Sequence, residues 1–564
     1  MVNPVVPSTG ALTPLGLDAV RLSPGFWGDL RALNQEVIIG HCLDWMEKLG
    51  WIGNFRGESA RGREFADSEV YKLLEAMSWA RDPRFDELAA TVVAAQESDG
   101  YLNTRWSGDR YRDFEWGHEL YCYGHLIQAG VARWRTSGEH EFTDAVRRAA
   151  DHVCRRFMDT GETCGHPEIE MALVELYRLT GTDRYLEMAR RFVERRGTPA
   201  LAEVEFGRAY FQDDMPVRDA DVFRGHAVRA MYLACGTVDV AVETGDTELL
   251  AAVEAQWERT IARRTHLTGG MGSRHSGESF GDDFELPPDR AYSETCAAVG
   301  SVMLSHRLLL ATGRRRYAEQ AERTLYNVVA ASPALDGRSF FYTNPLQVRV
   351  AGQPAEGVNP RAEGALRAPW FAVSCCPNNV ARTLASLPAY LATATADGIQ
   401  IHHPAAGEIT HDGLELRVET GYPWDGGVAV HVVAAPAAPR RISVGEHTEE
   451  RVWEPGDVVA VELDVRPRWV RPDPRVDAVR GCVAVERGPL VYCAESAAGG
   501  PSLELVQVLT GTPPREERAD GVVELEVPSA ALGDGVVGPL RLVPYHRWGN
   551  RGPATMRVWL PEVS

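Results

Sequence analysis

The sequence predicts a multidomain α and β protein, an (α/α)6 barrel followed by antiparallel β-sandwiches. Two observations carry this: apolar residues recur at helical spacing up to about residue 395, and short alternating runs replace them afterwards. The 564-residue length points the same way, because a chain of this size outgrows a single hydrophobic core.

The helical half is legible in stretches such as DSEVYKLLEAMSWA, HELYCYGHLIQAGVARW, PEIEMALVELYRL and ETCAAVGSVMLSHRLLL. Several helix pairs are punctuated alike, in RTSGEHEF, RLTGTDRY, VETGDTEL and LATGRRRY, with WARDPRF as a variant containing Pro. A Gly there suits the left-handed residue that closes a helix, and the aromatic or Leu just after it opens the next buried face. Roughly twelve such segments make six hairpins, which must stack their apolar faces to share a core. A closed ring is preferred to an open solenoid because the polar and aromatic stretches fall between hairpins, where a ring gathers them into one cavity.

In the second half, GLELRVET, GVAVHVVAA, VVAVELDV, GCVAVERGPLVYCAE, GVVELEV and ATMRVWL alternate apolar and polar residues between Gly, Pro and Asp. Their Val-rich content fits half-buried strands of a sandwich. The expected division is an N-terminal extended segment over 1–25, the barrel over 26–395, one sandwich over 396–480 and a second over 481–564, with the last strands free to return to the first.

Bulk composition narrows the function. A formal charge of −20 disfavours nucleic acid, since phosphate binding needs concentrated Lys and Arg, and a neutral or polar small substrate fits better. The opening MVNPVVPSTGALTPLG lacks the basic start and apolar stretch of a secretory signal, and no later run reaches bilayer length, so the expectation is a cytoplasmic chain with no membrane partner. Ten scattered cysteines without a disulfide pattern agree with a reducing compartment.

The chemistry concentrates in GGMGSRHSGESFGDDFELPPDRAYSETC, a loop too rich in Gly, Pro and charge to be a packed helix, and in SCCPNN. The first offers Glu278, Asp282, Asp283, Glu285, Asp289, Glu294 and Cys296; the second offers Cys375 and Cys376. Three thiolates with one carboxylate make a tetrahedral zinc set, which Glu294, Cys296, Cys375 and Cys376 would supply. Adjacent cysteines rarely bridge without strain, so the pair at 375 and 376 suits a shared ion or a reactive thiol. From spacing alone a closed structural zinc, or buried cysteines acting as small apolar residues, stays open. Asp282, Asp283 and Asp289 read as solvated loop carboxylates, Cys482 and Cys493 as sandwich core, and His125 as structural. Trp116 and Tyr101 fit either a pocket mouth or the core.

The stretches TGGMGSRHSGESF, YSETCA and SCCPNNVAR resemble, in order and separation, the β-L-arabinofuranosidases of glycoside hydrolase family 127. DSEVYKLLEA, DGYLNT, HELYCYGHLIQAG, GHPEIEMALVELYRLTG, GHAVRAMYLACG and RGPLVYCAE extend the similarity over nearly the whole chain. One departure is Asn378, where the family often has the second Pro of Cys-Cys-Pro-Pro-Asn. The resemblance implies a retaining exo-glycosidase acting on terminal β-L-arabinofuranosides of a small oligosaccharide or glycoside. It implies Cys375 as nucleophile, Glu278 as general acid/base, and Zn2+ held by Glu294, Cys296, Cys375 and Cys376. His118, His166 and His226, each near the start of a predicted helix in the matching HELY, GHPE and GHAV segments, are expected to bind sugar hydroxyls, with Tyr342 of FFYTNPL as a further contact. Three alternatives remain: the same mechanism on another sugar, a sugar epimerase or lyase with structural zinc, or a non-catalytic carbohydrate-binding protein. A homodimer is left open.

Overall fold

The computed structural model describes residues 1–106, 108–359, 365–497, 499–500, 502–519, 521–531 and 537–563. Among these, six inner helices close a ring: α1 (Ala66–Ala80), α2 (Glu119–Ser137), α3 (Ile169–Thr180), α4 (Ala227–Thr244), α5 (Thr295–Thr312) and α6 (Cys375–Ala385). Each lies against the next, and α6 returns to α1. Outer partners are Phe85–Ala94, Glu141–Phe157, Asp183–Arg195, Thr247–Arg263 and the segments 26–48 and 316–329. The ring is thus the expected (α/α)6 barrel. Gly181 and Gly245 close α3 and α4 at φ 68 and φ 69, a backbone that costs glycine nothing. In WARDPRF the same left-handed position is taken by Arg81 at φ 54, so that junction keeps the geometry without the Gly.

Inner helices are buried on nearly every side, so their polar residues must satisfy one another. At the end of the barrel away from their N-termini, Arg178 of α3 reaches Glu175 at 2.5 Å, Asp239 of α4 at 2.9 Å and Glu243 at 2.6 Å. Arg307 of α5 reaches Asp239 at 2.7 Å, and Arg135 of α2 reaches Glu175 at 2.7 Å. Higher in the axis, Arg382 of α6 donates to Glu75 of α1 at 3.0 Å, Gln128 of α2 at 2.7 Å and Tyr232 of α4 at 3.1 Å. Removing one member leaves charge buried without a partner. Asp239→Ala is therefore expected to cost about 3–5 kcal/mol, read as a lower melting temperature of the intact chain; an unchanged melting temperature would show that the network is dispensable.

Helix α5 is long and apolar enough to cross a bilayer, contrary to the expectation that no run is, but 89% of its apolar window is buried in this protein. Its composition reflects a core position surrounded by other helices.

The first sandwich starts at Ala392, slightly before the expected limit of the barrel, and it draws on the N-terminus. Thr13–Pro14 pairs with Ala392–Thr395 in one five-stranded sheet, and Val20–Leu22 pairs with Gly407–His411 in the other. The segment 1–25 is thus part of this sandwich. The second sheet system begins at Pro467–Val470, which pairs with Cys482–Arg487, so the division lies between 462 and 467 and not near 480. Its last strands stay within it: Ala554–Arg557 pairs with Leu490–Ala497 and Leu560–Pro561 with Cys482–Arg487. Alternation alone cannot assign a strand to a sheet, because register and partner are set by contacts distant in sequence.

The second sandwich also grips the barrel. Gln347–Val348 adds a strand to it through Ala554–Arg557, Tyr545 donates to the Pro345 carbonyl at 2.7 Å, and Phe341 stacks on Trp548 with ring centroids 4.8 Å apart. These contacts hold the segment that carries Tyr342.

Candidate active site

Two helix N-termini build the thiol cluster. Glu294 caps α5 and Cys296 lies in its first turn, while Cys375 and Cys376 open α6. Unpaired N–H groups and aligned peptide dipoles make helix starts favourable for anions, which suits thiolates. The Cys375 sulfur lies 3.0 Å from Cys296 Sγ, 3.9 Å from Cys376 Sγ and 3.3 Å from Glu294 Oε1; Cys296 and Cys376 are 3.5 Å apart. Tetrahedral Zn–S bonds of about 2.3 Å put sulfurs about 3.8 Å apart, a spacing that the two pairs made by Cys376 approach and that Cys296 and Cys375 fall short of.

Electrostatics favours a cation here. Burial and the Cys375 sulfur push the Glu294 carboxyl well up, and contact with Cys296, together with burial, pushes Cys375 up. Burial and both neighbouring thiols raise Cys376 likewise. Burial would raise Cys296 too, but its hydrogen bonds with Cys375 and Cys376 bring it down to about 7. Four acidic groups whose donor atoms lie within 4.8 Å of one another cannot all ionise without a positive charge among them. The second Glu294 oxygen is buried without a partner, as a ligand atom awaiting its ion would be. The donor set therefore fits a metal. Of the four residues, Cys375 alone is partly open to solvent.

Tyr342 joins the cluster through the loop held by the second sandwich. Its hydroxyl lies 3.6 Å from Cys375 Sγ, and its carbonyl accepts from the Thr295 amide at 3.0 Å.

The three predicted histidines form an arc across α2, α3 and α4. Ring centroids are 5.7 Å apart for His118 and His166 and 5.8 Å for His166 and His226. His118 Nδ1 faces the Trp116 carbonyl and His166 Nδ1 the Pro167 carbonyl at 2.8 Å. A carbonyl only accepts, so both Nδ1 atoms carry the proton and both Nε2 atoms are left as acceptors. Burial keeps these rings neutral, lowering His118 to about 3 and His166 well below its ordinary value. His226 differs: its Nδ1 accepts from the Arg229 amide, so Nε2 donates to Glu278 Oε2 at 3.2 Å.

Glu278 sits in the turn Ser276–Glu278 with φ 50, a left-handed backbone uncommon outside glycine, and His118 has φ 58. Asn359 donates to its other oxygen at 3.3 Å. Burial pushes the Glu278 carboxyl up, but the hydrogen bond and charge of His226, with Arg229 beyond, hold it below its usual value. Tyr292 bridges the two halves: burial, then Glu278, Glu294 and Cys375 in turn, raise its hydroxyl well above normal. All nine residues expected from the sequence thus lie in two adjoining groups, the thiol cluster with Tyr342 and the histidine arc with Glu278.

Several participants are not among the sequence candidates. Arg229 lies one turn after His226 on α4, a spacing that places both at the same helix end. Lys72 is wholly buried in α1, paired with Glu69 at 2.7 Å, and its charge opposes that of Cys375 and Cys296. A Lys inside the apolar run DSEVYKLLEA was the available signal. Asn378 donates to the other Glu69 oxygen at 3.0 Å, so the departure at that position gains a bond that proline could not make.

Other expectations divide. His125 is buried deeper, 3.3 Å from Glu168. Tyr101 is core, donating to Glu119 at 2.5 Å, whereas Trp116 is 38% exposed. Asp283 is not simply solvated: Arg259, Arg263 and Arg264 hold it at 2.8–3.0 Å, and against the rise from burial they lower it to about 2. It pins the Glu278 loop to the outer helix Thr247–Arg263.

Residues 19–389 match the family model for the catalytic domain of β-L-arabinofuranosidase, glycoside hydrolase family 127, and residues 467–561 match the C-terminal domain of that family. A non-reducing end β-L-arabinofuranosidase of Bifidobacterium longum subsp. longum is 32% identical, with 88% of this chain and 89% of that protein aligned. A family 127 β-L-arabinofuranosidase structure from Geobacillus stearothermophilus superposes with a TM-score of 0.91 at 31% identity, covering 96% of this chain and 100% of that one. Another family 127 β-arabinofuranosidase structure gives 0.88 at 30% identity, covering 100% and 98%.

Proposed function

The chain belongs to glycoside hydrolase family 127, and from that premise we propose that it releases terminal β-L-arabinofuranose from non-reducing ends, with retention, using Cys375 as nucleophile and Glu278 as acid/base. The observation that carries the reading is that Cys375 is the one partly exposed donor in a cluster otherwise buried, while the Glu278 carboxyl, on a separate turn, acts with it on the Tyr292 hydroxyl between them.

Glu294, Cys296, Cys375 and Cys376 would hold zinc, which when bound supplies the charge that keeps these thiols deprotonated. The Nε2 atoms of His118 and His166 accept hydrogen bonds from sugar hydroxyls, and Tyr342 orients the sugar over the Cys375 sulfur. Glu278 gives its proton to the departing oxygen while the sulfur attacks the anomeric carbon from the opposite face, forming a thioether. Its side chain is 28% exposed in the free protein, and a sugar covering it removes that water and pushes the carboxyl toward the protonated form this step needs. In the second step Glu278, now carboxylate, takes a proton from water as that water displaces the sulfur. Two inversions return the starting configuration.

Ten free cysteines, eight of them buried, support a reducing, cytoplasmic setting. The metal assignment has a direct test: purified protein is expected to carry about one zinc per chain by elemental analysis, and chelation is expected to remove metal and activity together, with zinc restoring both. Full turnover of an aryl β-L-arabinofuranoside by metal-free protein would overturn it. Proton exchange into a sugar without cleavage of the glycoside would favour the epimerase or lyase alternative instead.

A further inference from the structure

Among the described residues, Trp116 and Phe206 are the two aromatic side chains that stand exposed, each at 38%. They come from different loops yet belong to one array. Trp116 lies 5.6 Å from Tyr210 and 5.3 Å from Phe211, while Phe206 lies 4.9 Å from Tyr210. The Arg229 guanidinium sits behind this array, 5.6, 5.0 and 4.9 Å from the centroids of Trp116, Tyr210 and Phe211. Its Nε and Nη1 are buried without hydrogen-bond partners, so ring faces are its main neighbours. The two loops are also tied by the Ala202 amide, which donates to Glu115 at 2.6 Å. Trp116 and Phe206 are therefore held from behind and bare in front, with Tyr210 and Phe211 buried beneath them.

Their place relative to the acid/base group decides what they could meet. A side chain at Gly277, the residue before Glu278, would lie 3.2 Å from Phe206 and 3.4 Å from Tyr210, so the turn carrying Glu278 rests directly on this array. Tyr210 is also 5.6 Å from His226, and the Trp116 carbonyl accepts a hydrogen bond from His118. A general acid must lie beside the leaving oxygen, so whatever is attached to that oxygen extends past Glu278, on the side away from the attacking sulfur.

We propose that Trp116 and Phe206, backed by the buried Tyr210, form the leaving-group subsite, which stacks the apolar face of a second sugar ring in an oligosaccharide substrate. This rests on the glycosidase reading above and adds to it the class of leaving group. Sugars present C–H faces that match exposed ring faces, and rings already locked in place lose little freedom on binding.

The test compares a β-L-arabinofuranosyl disaccharide with methyl β-L-arabinofuranoside, whose leaving group is too small to reach the array. The ratio of their kcat/KM values is measured for wild type, Trp116→Ala, Phe206→Ala and Trp116→Phe. The disaccharide preference is expected to fall about tenfold in each alanine variant, chiefly through KM, and to recover in part in Trp116→Phe. An unchanged ratio, or an equal loss on both substrates, would overturn the subsite while leaving the glycosidase reading intact. Wild-type protein that cleaves neither glycoside would overturn that reading and the subsite with it.

Discussion

Cys375→Ala is expected to lower turnover of an aryl β-L-arabinofuranoside by roughly 10⁴-fold or more, the scale of loss when the nucleophile of a covalent mechanism is deleted. Because Cys375 is also a donor of the cluster, loss of activity alone would not separate attack from metal holding. Cys376→Ala makes the comparison: it removes a neighbouring donor that is fully buried, at 0% exposure, and that cannot meet a sugar. At matched metal content, measured on the same samples, Cys376→Ala is expected to retain markedly more turnover than Cys375→Ala. A slow substrate should also leave wild-type protein heavier by one pentosyl group in intact mass, on a peptide containing Cys375. Near-normal turnover by Cys375→Ala, or a pentosyl adduct on another residue, would remove Cys375 from the role.

How much of this was legible in the sequence depends on the range of the interaction concerned. Helix periodicity and turn glycines are local, so the ring of six hairpins could be read from stretches such as RLTGTDRY, and even the Arg81 junction was placed correctly. Sheet membership is not local: nothing in Thr13–Pro14 announces that it will pair with Ala392–Thr395, or in Pro467–Val470 that it belongs with Cys482–Arg487. The site divides similarly. Cysteines and acids in Gly-rich or helix-opening segments stand out by type, whereas Arg229 looks like an ordinary helix charge until the fold buries it. Asp283 shows the converse, since three arginines at the end of the preceding outer helix turn an apparently free carboxylate into an anchor. The aromatic array was half visible: Trp116 stood out beside His118, but Phe206 lies in a loop with no chemical motif, and only the packing of Gly277 on its ring connects it to Glu278.

Glu278→Gln keeps the shape and much of the hydrogen bonding of the acid/base group but removes its proton transfer, so its signature should depend on the leaving group. With an alkyl or sugar leaving group, both steps need Glu278, and kcat/KM is expected to fall about 10²–10⁴-fold. With a dinitrophenyl leaving group, which departs as a stable anion, the first step needs no acid and kcat/KM should fall far less. The second step still lacks its base, so the Cys375 thioether should accumulate as a burst of released phenol followed by slow turnover. Azide needs no deprotonation to attack, and adding it should speed the second step and yield a β-configured glycosyl azide, because it replaces water on the same face. His226 sharpens the assignment, since its Nε2–H, which meets Glu278 Oε2 in the native protein, would still find the carbonyl oxygen of the replacement amide, and binding should therefore suffer less than chemistry. Uniform losses across leaving groups, with no burst and no azide effect, would mean that Glu278 only positions the substrate and that the proton comes from another group.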